Sequence, residues 1–551
     1  MKKHYSQIIL SLVAMLTCST VLAGDPKLKI DWSQEYLLPK KHADIGFIGN
    51  PKVGYTQMGY QLKKSLSLQH FSPDLNLEST NTIDLKGFPA GLINEGVVQF
   101  AGKTYWGYST WEKSTTTERL FLQELDLESG MAVGEATQLT ETGKLTGDMF
   151  ATGFYKFELR KYEFFYSSDS TKLGVVVQYP NASRNDAINK EKYGFFVFDK
   201  NLNQLWKNDV EMPYTEKKMD IYDKTIDRSG NIYFVARVFD DESEKRVKDG
   251  KVNFHFEILK FAKGGKKAVS IPFKFEKNYV SQLGLFEDFQ GNIVCSGFYS
   301  DKTRKGKIST DGGAADGTFF LRLDPSDNKL TNVHKGFYEF PAEVLMQFEK
   351  ARTQKKIEKA ENKGTASSAN LRLRNIYFGQ DGSLTLFGEE YYMVTRVVMS
   401  GKTTRTYYDH RFNDILVQRI GADGELMWTK KIPKSQFATT YSPSPASAVG
   451  LGMNILSTDN GYNIFFMDNL KNMNLPEDKA PATHATALKG ILVSVNVDKT
   501  TCDTKKTNVF DTREMKDLIN IINADKVGSN TFINRTWIKK KNKVCLLTVE
   551  D

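Results

Sequence analysis

The chain has 551 residues but only 4 cysteines and 7 histidines. Cys18 falls in an N-terminal leader, which leaves Cys295, Cys502 and Cys545. Three cysteines in a chain this long cannot be a disulfide framework. Cys502 and Cys545 sit in the last two units and are the pair that could bridge, while Cys295 lies in an apolar strand and reads as a buried thiol. The histidines His4, His42, His70, His255, His334, His410 and His484 show no HExxH or HxH spacing, so nothing supports a zinc centre. A GxSxG elbow and a phosphate-cradling glycine loop are likewise missing.

Long apolar runs are also scarce. After the leader, no stretch approaches the roughly 20 apolar residues of a membrane helix. Neither sign of charge dominates: 75 basic residues against 66 acidic ones give +9, spread along the chain. The densest basic run, "RTWIKKKNK" (535–543), reads as a solvated hairpin turn, and nucleic acid is not expected as a partner.

The leader "MKKHYSQIILSLVAMLTCSTVLAG" has Lys2 and Lys3, an apolar core from Ile8 to Leu16, and Val21 and Ala23 before a cleavage point. It reads as a signal peptide over 1–23, with a mature chain starting at Gly24. Cleavage removes Lys2 and Lys3 and takes the charge from +9 to +7. Cys18 offers a second reading, a lipid anchor, but Met15 and Thr17 in "MLTC" depart from a lipoprotein box, and ordinary cleavage is favoured. The expected address is periplasmic, cell-surface or secreted.

What is abundant is a repeat. "DRSGNIYFVARVF" (227–239) is a polar turn followed by an apolar run, and it recurs as "DFQGNIVCSGFY" (288–299), "GQDGSLTLFGEEYY" (379–392), "STDNGYNIFFMDN" (457–469) and "SSDSTKLGVVVQY" (167–179). Weaker copies are "FAGKTYWGYSTW" (100–111), "NPKVGYTQMGYQ" (50–61) and "KKKNKVCLLTVE" (539–550). Each reads as a turn and a buried strand. An alternating hairpin such as "FHFEILKFAKGGKKAVSIPF" (254–273) answers each of the first seven.

Four antiparallel strands per unit, repeated, predict an all-β fold: a single β-propeller over 24–551 with seven or eight four-stranded blades, eight by motif count. The turn glycines Gly230, Gly291, Gly382 and Gly461 are 61, 91 and 79 residues apart, so the excess length lies in loops. "IDWSQEYLLP" (30–39) resembles the last strand of a unit and "KKKNKVCLLTVE" an early one, so both termini are expected to close the ring in one blade. A tandem of β-sandwiches is the runner-up. Residues 341–370 predict a helical insertion and linker, and 511–526 a short amphipathic helix.

"DGSLTLFGEEYY" (381–392), "NDILVQRIGADGELMWTKKIPKSQ" (413–436) and "IFFMDNLKN" (464–472) together resemble a group of large exported, mostly uncharacterised β-propeller-like proteins of Bacteroidota-type bacteria. The likeness covers roughly residues 290–510. It implies a fold and an origin but no reaction.

Candidate ligand- or partner-contacting residues cluster where buried strands end: Glu389, Glu390, Tyr391, Tyr392 and His410 in unit six, and Asp468 and Asn469 in unit seven. Neighbours on a strand point to opposite faces, so Glu389 and Glu390 cannot themselves form a glycosidase couple. "STDGGAADGTF" (309–319) lacks the spacing of a calcium loop, and aromatic clusters such as "YWGYSTW" (105–111) read as core filling. The sequence supplies no catalytic residue, metal or cofactor. The leading expectation is an exported, non-catalytic binding or scaffolding propeller with a protein or glycan partner in the cell envelope. The alternatives are a glycan-acting hydrolase or lyase, or an accessory subunit of an outer-membrane transport or secretion complex.

Overall fold

The computed structural model describes residues 27–550 apart from 62–63, 89–91, 152–156, 182, 184, 249–250, 276–277, 302–313, 332–335, 363–366, 369, 402, 486–487, 516–518 and 539–540. The leader with Cys18 therefore lies outside the described residues, as do His334 and residues 309–313 of the 309–319 loop.

The recurring turn is built by one device. In the 227–239 copy, Gly230 takes φ +83°, a conformation that glycine alone adopts without strain. The Asp227 carboxylate accepts the Asn231 N–H at 2.7 Å and the Tyr233 hydroxyl at 2.9 Å. Gly291, at φ +89°, repeats the turn above Asp288, which accepts the Asn292 N–H at 2.8 Å. The turn delivers the chain into Ile232–Phe239, every residue of which is buried.

Among the described residues these units form eight antiparallel sheets of four or five strands. In chain order their first strands are Ala43–Asn50, Ile93–Phe100, Tyr162–Tyr166, Met219–Ile226, Asn278–Glu287, Leu371–Phe378, Asn454–Ser457 and Asp525–Lys526. Sheet 4 shows the pattern, with Met219–Ile226, Ile232–Phe239, Phe254–Phe261 and Val269–Phe273 side by side in sequence order. Seven of the eight repeat copies become second strands. The eighth, 539–550, becomes the third strand of sheet 8, because the second-strand place is taken by Thr531–Ile538.

Sheet 8 joins the chain ends. Lys27–Trp32 pairs antiparallel with Lys541–Glu550, Lys27 opposite Glu550 and Trp32 opposite Cys545. The terminal strand is thus 27–32 and not the expected 30–39; Tyr36 makes only a single bridge to Asn542. Consecutive sheets share apolar cores. Phe195, Phe234 and Phe261 pack between sheets 3 and 4, and Cys295, Phe256 and Phe319 between sheets 4 and 5. Phe47 and Phe71 of sheet 1 also pack with Ile533 and Val544 of sheet 8. Each such aromatic buried in full contributes about 1.5–3 kcal/mol, and the abundance of Phe and Tyr is used as wedges between sheets. Trp106 of "YWGYSTW" is one of them, with no exposed surface.

The first strands also brace one another. Lys161 N–H donates to Glu95 at 3.0 Å, Leu285 N–H to Asp223 at 2.7 Å, Leu373 N–H to Gln282 at 2.7 Å and Phe47 N–H to Asp525 at 2.8 Å. Each joins a sheet to the next, and the last joins sheet 8 to sheet 1. Bulges in the first strands of sheets 1, 2, 4, 5 and 6 give the kink that such bracing needs.

Two expectations are corrected. The 341–370 insertion holds two separate helices, Ala342–Met346 and Ala351–Glu361, broken at Phe348, which takes φ +59°. In 511–526 the described residues hold a helix at Thr512–Met515, a 3-10 turn at Ile521–Asn523 and the strand Asp525–Lys526 in place of one amphipathic helix. Neither of the two cysteines that could pair, Cys502 and Cys545, forms a disulfide, and Cys295 is a buried thiol as expected.

Candidate functional site

Sheet 6 carries most of the residues singled out by sequence. Its second and third strands, Leu384–Ser400 and Thr403–Ile420, run far past the first strand, which ends its pairing at Leu371 opposite Glu390. Glu389 is not at a solvated strand exit but wholly buried. Its carboxylate holds Lys434, also without exposure, at 2.7 Å, and accepts the Arg374 Nε at 2.7 Å. Burial pushes the Lys434 ammonium down, and Glu389 opposes that shift. Lys434 and the Gly452 N–H both donate to Gln436 Oε1, while Gln436 Nε2 donates to the Met467 carbonyl. This network therefore locks sheet 6 to sheet 7.

The register shifts at Glu390, which alone stands opposite Asn413 and Asp414 of the third strand, and its carboxyl enters a different network. It accepts Ser368 Oγ at 2.8 Å, near Lys431, which binds Glu349 at 2.8 Å and Asp414 at 3.1 Å. Burial, then the Asp414 carboxyl, pushes the Glu390 acid up to about 8. Burial likewise raises Asp414. Glu349 comes from the helical insertion, so this cluster fastens the insertion to the sheet.

Tyr391 and His410 do meet. The Tyr391 hydroxyl is 2.7 Å from His410 Nδ1, and His410 Nε2 is 3.1 Å from the Ser442 carbonyl. A carbonyl only accepts, so Nε2 carries the proton and in the neutral ring Nδ1 accepts from Tyr391. His410 has no exposed surface. Tyr392 is half-buried beside them. Asp468 and Asn469 belong to sheet 7. Asp468 accepts Lys506 Nζ at 2.6 Å and Asn472 Nδ2 at 2.8 Å. Asn469 caps the turn Leu470–Asn472. The seven residues thus divide into internal struts of two sheets and do not converge on one recess.

A recess lies elsewhere. Between sheets 3 and 4 a cleft of about 430 Å³ is lined by Glu163, Glu191, Glu216, Asp220 and Asp223, with Lys224 as the cation among its lining residues and Phe165, Tyr193 and Tyr222 as its aromatics. Lys224 spans to Glu163, and Arg237, directly opposite Asp220 on the next strand of the same sheet, pairs with it. Gln178 donates to Glu191 at 2.8 Å. Burial, then the neighbouring Glu216 carboxyl, raises Glu191. Burial also raises Asp223, against the pull of the Leu285 N–H. Five carboxyls facing two cations give a negative recess with two partly desolvated acids. The cleft was missed because the sequence reading followed the buried second strands. The signal lay in a first strand, "MDIYDKTI" (219–226), whose interior residues are only half-buried.

Among the described residues, no three His, Cys, Asp or Glu side chains gather as a metal site, and no helix is long and apolar enough to cross a membrane.

No family model and no curated protein matches the chain. Solved structures do. The chain is similar to one from a study of two prolyl endopeptidases, at 9% identity and TM-score 0.35, covering 91% of this chain and 55% of that one. It is also similar to the WD40 domain of SCAP from fission yeast, at 7% identity and TM-score 0.34, covering 95% of this chain and 94% of that one. A third is a protein of unknown function from Dyadobacter fermentans DSM 18053, at 9% identity and TM-score 0.29, covering 71% and 94%. This chain therefore spans about half the length of the peptidase.

Proposed function

We propose that the chain is an exported, non-catalytic binding protein, an eight-bladed β-propeller closed by both termini, which receives a cationic group of a cell-envelope partner in the cleft between sheets 3 and 4. The ring reading is supported by the shared core and the Asp525 brace between the last and first sheets, and by the terminal pairing of 27–32 with 541–550. The binding reading is carried by the cleft: its five carboxyls outnumber the cations that face it, so an incoming amine or guanidinium gains charge-assisted hydrogen bonds. Scaffolding fits the same frame, since the buried acids and lysines of sheets 6 and 7 are engaged with one another.

Titrating the full chain with an oligolysine peptide tests this reading. Binding is expected to weaken with salt and to fall about tenfold in Glu163→Gln/Glu216→Gln. Equal binding by that variant, or equal binding of an oligoglutamate peptide, overturns it.

A further inference from the structure

The long hairpin of sheet 6 ends as a ribbon that nothing in the sheet covers. The first strand stops at Leu371, opposite Glu390, and the flanking strand Gln436–Thr440 pairs no further than Tyr408. From there to the turn at Gly401, which takes φ +61°, the ribbon is two-stranded. Residues 394 to 399 are exposed without a break. An isolated two-stranded ribbon is marginal in water, and an uncovered valine-rich edge invites unwanted pairing. Such a projection needs an occupant.

The register sorts its side chains, because directly opposed residues share a face. Thr395 faces Tyr408, Val397 faces Thr406, and Met399 faces Thr404. That face carries no charge, and Val397 and Met399 are 62% and 77% exposed. On the other face Arg396 faces Tyr407 and Val398 faces Arg405. Arg396 is paired with Asp409 and lies over the Tyr407 ring, and Tyr407 packs on the exposed Tyr441. Residues 391–412 contain Arg396, Lys402, Arg405 and Arg411 against Asp409, four positive charges and one negative, so +3 with His410 neutral.

We propose that this ribbon docks on an anionic lipid surface, its uncharged face entering the interface and its arginines meeting lipid phosphates. Aliphatic, methionine and tyrosine side chains beside arginine suit the boundary between headgroups and acyl chains. The insertion is shallow, since the free edge of the ribbon has backbone groups that hydrocarbon cannot satisfy. The charge argues against a second copy of the chain, because pairing two such ribbons edge to edge brings their arginines together. This inference stands apart from the acidic cleft, which has the opposite charge and lies in other sheets.

Co-sedimentation of the full chain with vesicles is the test. Binding is expected to vesicles of phosphatidylcholine with phosphatidylglycerol, weakly or not at all to phosphatidylcholine alone, and to decline with salt. Val397→Asp/Met399→Asp is expected to lose at least about tenfold in vesicle affinity. Both positions are exposed, and an unchanged melting temperature verifies that the variant folds. In a separate Val397→Trp variant the added indole emission is expected to shift blue on binding and to be quenched by brominated lipid. Absence of vesicle binding, wild-type binding by the double aspartate variant, or an unshifted indole would each overturn the proposal. So would loss of a captured protein partner in the aspartate variant while vesicle binding persists, which would make the ribbon a protein-docking element.

Discussion

Lys434 is fully buried, and its charge is tolerated because Glu389 stands 2.7 Å away with Arg374 on its other oxygen. Removing one partner of such a pair strands the other in low dielectric, which costs about 3 kcal/mol or more. Lys434→Met is therefore expected to lower the urea-unfolding free energy by roughly that amount, and Glu389→Gln in the same chain to recover part of it. If the two substitutions simply add, the pair is not coupled. At this scale the sequence was half legible. Adjacency on a strand correctly separated Glu389 from Glu390, but it could not show that both enter ionic networks, since the countercharges lie 45 residues away at Lys434 and 41 residues away at Lys431. The seven candidates were chosen for being polar at the end of an apolar strand, and that same pattern describes a buried strut when a distant lysine or arginine supplies the countercharge.

At the scale of elements, the insertion at 341–370 shows what the extra length between repeats does. Its second helix, Ala351–Glu361, has no buried residue. What fastens the insertion is Leu345, buried in the sheet 5–6 core, together with Lys431, which Glu349 and the Leu345 carbonyl both bind. The Glu390 acid in this cluster is raised from 4.5 to about 8 by burial and by Asp414. A carboxyl raised in the folded state binds more protons there than in the unfolded chain, so its contribution to stability is full below about 4.5 and is lost as pH rises toward about 8. The difference in melting temperature between Glu390→Gln and the native chain is thus expected to move in favour of the variant across that window and to be level above it. A flat difference between pH 4.5 and 8 would mean that Glu390 is ionised in the fold. The repeat motif was legible because its turn is local: Asp227, Gly230 and Asn231 lie within five residues. The cleft was not, because its walls come from two sheets whose relation depends on packing.

For the whole molecule, the decisive contacts join the two ends of the chain. The shared core of sheets 8 and 1, the Phe47 to Asp525 hydrogen bond and the pairing of 27–32 with 541–550 all span almost the entire sequence. Contacts of such separation cost the most loop entropy and form late. In the proposed ring they also remove the free edges that an open row of sheets would leave at either end. The likeness of each terminus to a different strand of the repeat unit made this pairing legible in outline, though the strand lay a few residues earlier than its pattern suggested and the C-terminal run took the third place in the sheet. The register allows a direct test. Trp32 stands opposite Cys545, a buried thiol outside any disulfide, and opposed residues in antiparallel strands have Cα atoms about 4.5–5.5 Å apart, inside the range of about 4.4–6.8 Å that a disulfide spans. Trp32→Cys is therefore expected to oxidise to a 32–545 disulfide in the folded protein, seen as a linked peptide after proteolysis under non-reducing conditions. The native pairing predicts this bond over bonds to Cys295 or Cys502. If the new cysteine stays free in the folded protein, or links to either of those two, the ends do not share a sheet and the ring reading fails with them.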